Sequence, residues 1–203
     1  AGVSYENGDF AIAPQVFYQK VDDYIQGTPS NDMRVKMVAN MMGDDSPLAF
    51  SNIDATLFGA DMNWRYRLNA HFNLSGIVSY VRGERDDIDD NLYRISPLNA
   101  RMNLNYQYGN WQSNLAIHAY RAQHKISQLN NEQASKGYAL VDWQVDYFVS
   151  SGVVVRLGVN NLLDKHYSDH LAGVNRAAGS ELAVGDKITA MARNIYFAMD
   201  YQF

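Results

Sequence analysis

The chain contains no cysteine, which removes disulfide frameworks and thiolate metal sites from consideration while leaving the compartment open. It has no run approaching the roughly 18 apolar residues of a membrane-spanning helix, and its mean hydropathy is −0.34. That absence does not bear on membrane barrels, whose alternating strands keep mean hydropathy low. Basic residues are few: 17 Lys and Arg against 22 Asp and Glu, a formal charge of −5. Nucleic-acid binding needs a clustered basic footprint, so no nucleic-acid partner is expected. The opening AGVSYENGDF has neither a basic run nor an apolar h-region. No signal peptide is therefore expected there, and the numbering is expected to begin inside something larger or after processing. Aromatics are plentiful, with 14 Tyr, 8 Phe and 3 Trp among 203 residues; strands and interfacial girdles both favour them.

Helical periodicity is scarce, and two-residue alternation runs through most of the chain. In FGADMNWRYRL, Phe58, Ala60, Met62, Trp64, Tyr66 and Leu68 oppose Gly59, Asp61, Asn63, Arg65 and Arg67. RMNLNYQY, ALVDWQVDY, VVVRLGVNN and the ending NIYFAMDYQF read the same way, whereas FNLSGIVSY, WQSNLAIHAY and FAIAPQVFYQK alternate less cleanly. The pattern predicts nine strands near 1–5, 9–25, 53–68, 72–85, 98–108, 110–122, 138–149, 153–165 and 192–203. Their connections alternate in length. Short ones fall at ENGD, RLNAH, YGN and SSG, and long ones at about 26–52, 86–97, 123–137 and 166–191. A soluble sandwich with turns every 8–12 residues or so has no reason to do this. An all-β, antiparallel transmembrane barrel does, because its periplasmic turns are short and its extracellular loops long.

Three further features point the apolar face at lipid and not at a protein core. The strands exceed the soluble mode of about 5–6 residues. Trp64 and Tyr66, and Tyr106, Tyr108 and Trp111, gather beside the short turns, where a periplasmic girdle belongs. Arg65, Arg101 and Arg156 fall in the polar register, and a one-residue slip would turn all three toward lipid. An arginine at the bilayer midplane costs about 2–4 kcal/mol.

Several stretches resemble a known family. GYALVDWQVDYFVSSGVVVRLGVNNLLDKHYSDHL is similar to the C-terminal region of TonB-dependent outer-membrane receptors, with Asn160, Asn161, Leu162, Asp164, Lys165 and Tyr167 matching its N-N-L-x-D-K-x-Y element. SNIDATLFGADMNWRYRL and YRISPLNARMNLNYQYGNW look like two more of its strands, and the terminal Phe203 is similar to the final aromatic read by the barrel-assembly machinery. The resemblance implies a barrel of about 22 strands around a plug, energised through TonB in the outer membrane of a Gram-negative bacterium. Residues 1–203 would be its C-terminal part, without the plug, contributing wall, loops and vestibule. The implied cargo is a scarce ligand, most often a ferric siderophore or other iron complex; copper is the alternative within the family. No catalytic role and no resident cofactor are implied.

Candidate site residues follow from these readings. Tyr93, Arg94, Tyr167 and Arg176 lie in loops or at a strand rim and could hold an iron complex by its aromatic and anionic periphery. Met33, Met37 and Met41, spaced for one helical face, with Met42 adjacent, could form a soft track for copper. The same face is expected to pack instead, since Met fills gaps readily. His166 and His170 could be imidazole ligands, but on an extended chain they would stand about 13 Å apart. Ser168, Asp169 and His166 are too close in sequence for a hydrolytic triad, whose members come from different elements. Glu84, Asp86, Asp87, Asp89 and Asp90 could hold Ca²⁺; lacking the EF-hand glycine and final glutamate, they read as a solvated acidic loop. Phe197, Met199, Tyr201 and Phe203 form the expected assembly signal, and the runner-up architecture is a small autonomous barrel of eight or ten strands.

Overall fold

The computed structural model describes residues 1–44 and 46–202. Nine strands form one antiparallel sheet in chain order. They are β1 (Tyr5–Asn7), β2 (Phe10–Pro29), β3 (Leu48–Arg67), β4 (Phe72–Arg85), β5 (Asn99–Tyr108), β6 (Trp111–Tyr120), β7 (Tyr138–Ser150), β8 (Val153–Asn160) and β9 (Asn194–Tyr201). One helix, α1 (Met33–Met41), lies between β2 and β3, and a 3₁₀ turn spans His170–Ala172.

The register shows what the alternation achieves. One continuous cross-strand row reads Phe10, Tyr66, Leu74, Leu104, Leu115, Trp143, Val159 and Ile195. The next row on that face reads Ile12, Trp64, Gly76, Met102, Ile117 and Val141. Shifted by one residue, the opposite face reads Ala11, Arg65, Ser75, Asn103, Ala116 and Asp142. The ambiguous β2, β4 and β6 segments fall into the same two registers. Arg65, Arg101 and Arg156 all take the polar face: Arg65 contacts Glu6, Arg101 Nε donates to Asn103 Oδ1 at 3.2 Å, and Arg156 Nε donates to Asp146 Oδ1 at 2.9 Å. Polar satisfaction is therefore internal to that layer. Among the described residues only Ile53, Ala55, Leu92 and Ala116 are buried apolar side chains, so the protein itself does not cover its apolar rows.

Aromatic pairs mark the short-turn end as expected. Phe72 and Tyr106 lie 4.8 Å apart, Trp111 and Tyr147 4.6 Å, and His71 and Tyr108 5.1 Å by ring centroid. The tight β5–β6 turn passes through Gly109 at φ 55°, a conformation open to glycine at little cost.

Boundaries differ from the sequence reading in three places, the first being β1, expected at 1–5 and found at Tyr5–Asn7. β2 and β3 run on to Pro29 and back to Leu48, well past the expected 25 and 53. A bulge between Val21 and Tyr24, with Asp23 at φ 58°, shifts the alternation there and hides the continuation. Conversely β8 stops at Asn160, not 165. Asn161 and Asp164 adopt φ 51° and 53°. The Asn161 side chain donates to Lys165 O at 2.9 Å and accepts from Lys165 N at 2.8 Å, closing a corner. The N-N-L-x-D-K-x-Y element is thus a structural turn.

Candidate functional site

At the long-loop end the connections are tied into one cap. Asn130 Nδ2 donates to Gly27 O at 2.8 Å, Gln133 Nε2 to Gly185 O at 2.9 Å, and Ala178 N to Met42 O at 2.9 Å. Asp90 joins the 86–98 and 121–137 connections. Its carboxylate accepts from Asn91 N (2.9 Å), Gln128 N (2.8 Å), Leu129 N (3.0 Å) and the Ser127 hydroxyl (2.9 Å).

Asp86, Asp87 and Asp89 of the acidic run are exposed, as expected of a solvated loop, but several of its carboxylates also have partners. Asp86 accepts from the Thr56 hydroxyl at 2.9 Å, Asp87 pairs with Arg85 at 2.6 Å, and Glu84 with Arg82 at 2.7 Å. No group of three or more His, Asp or Glu is placed to hold a metal among the described residues. Partial burial pushes the Asp90 carboxyl up, but the amides of Gln128 and Leu129, the Ser127 hydroxyl and the Asn91 amide outweigh it and hold the group below the usual range. Its stabilising effect is therefore complete above the unfolded value near 4 and is lost as pH falls through the lower folded value. Asp90→Asn in the full-length receptor is expected to raise amide exchange at Gln128 and Leu129, by about 2 kcal/mol of local opening at pH 7. Wild type should approach the variant only at strongly acidic pH. Unchanged protection in the variant would remove the tie.

Two cavities adjoin at Lys187. The smaller, of about 190 Å³, is lined by Tyr93, Arg94, Arg176, Glu132, His170 and Lys187 among others. It brings together three of the four residues expected to meet a ligand. Their charges are unequally available. Arg176 grips Asp44 through two bonds of 3.1 and 3.0 Å. The Arg94 guanidinium lies 5.2 Å from the Tyr93 ring centroid and has no ion pair among the described residues. The larger cavity, of about 520 Å³, is lined by Lys136, Lys165, His166, Tyr138, Tyr167 and Lys187, with no carboxylate among the described residues of its wall. Tyr138 stacks on Tyr120 at 4.7 Å and meets Tyr167 at 4.5 Å, and its hydroxyl donates to Asp169 at 3.1 Å. Burial, then the Asp169 carboxylate, pushes the Tyr167 phenol up, so it stays protonated at neutral pH. Burial, then Lys136, pushes the Lys187 ammonium down, a repulsion that a bound anion would relieve.

The two histidines do not meet. His170 is buried, its side chain 3% exposed, with Nε2 3.2 Å from a Glu132 carboxylate that is itself 6% exposed; His166 is exposed and faces the other cavity. Nor does the methionine face pack as expected. Met33, Met37, Met41 and Met42 are 72, 65, 83 and 64% exposed, and no residue of α1 is buried. The Asp32 side chain caps the helix N-terminus, accepting from Arg34 N at 2.8 Å. Phe197, Met199 and Tyr201 are exposed on β9, which pairs only with β8 among the described residues; Phe203 lies outside the described residues. Sequence reasoning missed Lys136, Lys165 and Lys187. They are far apart in the chain; Lys165 was read only as part of the N-N-L-x-D-K-x-Y element, and no local pattern announces Lys136 or Lys187.

The sequence model of the family described as TonB dependent receptor-like, beta-barrel matches residues 1–162. No curated protein sequence matches the chain. Among solved structures, the copper transporter OprC is similar over 100% of this chain at 22% identity, with a TM-score of 0.86. The ferric yersiniabactin uptake receptor FyuA from Yersinia pestis is similar over the same 100% at 17% identity and 0.68, and the FrpB iron transporter from Neisseria meningitidis (F3-3 variant) at 16% and 0.68. This chain covers 30, 29 and 30% of those three chains. At these identities the likeness is one of fold.

Proposed function

Since the chain belongs to the TonB-dependent receptor β-barrel family, whose members are Gram-negative outer-membrane receptors and transporters and not enzymes, we propose that it forms a C-terminal part of the barrel of an importer for an anionic iron complex of the ferric-siderophore kind. In this reading the loop cap is extracellular, the polar face lines the lumen, and TonB acts through a plug domain outside these residues.

The observation that carries the proposal is the cleft of Lys136, Lys165, Lys187 and His166, without a carboxylate among the described residues of its wall, beside Tyr138 and Tyr167, whose rings lie 4.5 Å apart. A ferric siderophore saturates its metal, so a receptor meets only the periphery: anionic oxygens and, in catecholates, aromatic rings. Ammonium groups satisfy the first and tyrosine faces the second, with each charged hydrogen bond contributing about 1.5–3 kcal/mol. The test is binding of iron complexes of different charge by the full-length receptor. Lys136→Gln, Lys165→Gln and Lys187→Gln together are expected to weaken a trianionic tris-catecholate complex by about 10²-fold or more. A neutral hydroxamate complex should hardly respond. Equal affinity of variant and wild type for the trianion would take recognition elsewhere.

A second reading, copper import, is supported by the exposed thioethers of α1 and by the fold likeness to OprC. Thioethers select Cu(I), and four of them presented to solvent are available in a way that a packed face is not. Replacing Met33, Met37, Met41 and Met42 by Leu keeps volume and apolarity. Copper accumulation is expected to be unchanged; a selective loss would favour this reading over the iron complex.

A further inference from the structure

β5 begins at Asn99, opposite Ser79, whereas β4 continues to Arg85. Above that level β4 lacks its β5 partner, and a cleft of about 260 Å³ opens between it and the segment 121–125. Tyr80, Arg82, Leu98, Arg121, His124 and Lys125 contribute to its walls. On its inner side Gln123 Nε2 donates to Ile95 O at 3.1 Å, which ties the two flanking connections together.

The register places the mouth of this cleft on the apolar face. Tyr80 and Arg82 oppose Ala60 and Phe58. Arg121 N donates to Leu98 O at 2.9 Å, two residues beyond the Ala100–Ala119 pair of the apolar rows, so both side chains continue that face. Three cations, Arg82, Arg121 and Lys125, and the His124 imidazole therefore line one cleft at the loop-side border of the band assigned to lipid. The cleft wall includes no carboxylate among the described residues. Arg82 is paired with Glu84, yet its Nε is buried without an acceptor, and Arg121, His124 and Lys125 make no ion pair among the described residues.

We propose that this cleft binds the phosphate groups of a phosphorylated glycolipid in the outer leaflet, with Arg82 and Arg121 as the principal donors. Guanidinium groups match phosphate oxygens with two parallel bonds. A cation at this border costs only about 0–1 kcal/mol in its exposure to the bilayer, against about 2–4 at the midplane. Tyr80 and Leu98 sit where the lipid changes from acyl chain to headgroup, and tyrosine is suited to that boundary. The buried Arg82 Nε gains the acceptor it lacks. The proposal rests on the reading that the apolar rows face lipid, and the test separates the two.

The full-length receptor in detergent is titrated with bisphosphorylated lipid A and with its dephosphorylated form, and bound lipid is counted by native mass spectrometry. Wild type is expected to prefer the phosphorylated lipid by on the order of tenfold or more, since each cation near an anionic lipid surface is worth about a factor of five. Arg82→Gln, Arg121→Gln and Lys125→Gln together should abolish the preference while the barrel still inserts into vesicles and keeps its heat-modifiable mobility. A preference that survives in the triple variant overturns the proposal. Displacement of the lipid by inorganic phosphate at equal concentration would also overturn it, in favour of free phosphate. If the apolar rows did not face lipid, the receptor would not insert into vesicles at all, which is a different failure.

Discussion

Leu104→Arg is expected to stop the full-length receptor from inserting into membranes, while Asn103→Arg, one residue earlier, inserts as wild type does. The two positions share one strand and similar, partial burial. They differ in face. Leu104 sits between Leu74 and Leu115 in an uncharged cross-strand row, whereas Asn103 sits between Ser75 and Ala116 and accepts from Arg101 Nε at 3.2 Å. A guanidinium in the Leu104 row must be held in hydrocarbon at a cost of about 2–4 kcal/mol. On the other face it meets a layer already built from Asn, Gln, Asp and Arg. Folding into liposomes, read as the heat-modifiable band and as the urea midpoint, distinguishes them. Equal insertion of both variants would sink the assignment of faces, and with it the membrane reading of the sheet.

A second large effect is expected at Gly59. It lies on the polar face of β3, between Phe17 of β2 and Val81 of β4. A Cβ there would stand 2.1 Å from the Tyr80 carbonyl oxygen and 2.6 Å from Phe17 Cζ. The ring could swing away, but the carbonyl belongs to the β3–β4 ladder and cannot move without opening it. Overpacking of this kind typically costs about 1–3 kcal/mol, and more where backbone must yield. Gly59→Ala in the full-length receptor should therefore lower the urea midpoint for folding into liposomes. Phe17→Ala added to it should give no rescue, because the backbone clash remains. Recovery in the double variant would show that only the ring had been in the way. The glycine in the family-like stretch SNIDATLFGAD thus has a physical reason: two strands approach too closely for any side chain.

Much of the architecture was legible in the order of residues because a sheet with one apolar and one polar face imposes a period of two along each strand. The nine strands, the alternation of short and long connections, the aromatic pairs at the short turns and the register of Arg65, Arg101 and Arg156 all follow from that constraint. It is local, so each strand announces itself. It faded where the bulge at Val21–Tyr24 broke the alternation and where Asn161 and Asp164 turned the chain out of β8. Family membership was readable for a related reason: corners and close approaches such as Asn161 and Gly59 demand particular residues at fixed spacing.

The loop end obeys no such period, and there only the tertiary structure decided. Tyr93, Arg94 and Arg176 could be named as loop aromatics and cations, but not that Arg176 is already held by Asp44 while Arg94 has no ion pair among the described residues. His170 could be named as a metal ligand, but not that it lies buried against Glu132. The methionines of α1 have the spacing of a packed face, but all four, the adjacent Met42 included, are exposed among the described residues. Lys136, Lys165 and Lys187 become one cleft only when three distant parts of the chain are drawn together. Charge at a site is a sum over neighbours in space, and for loops that sum is set by how the strands deliver their ends.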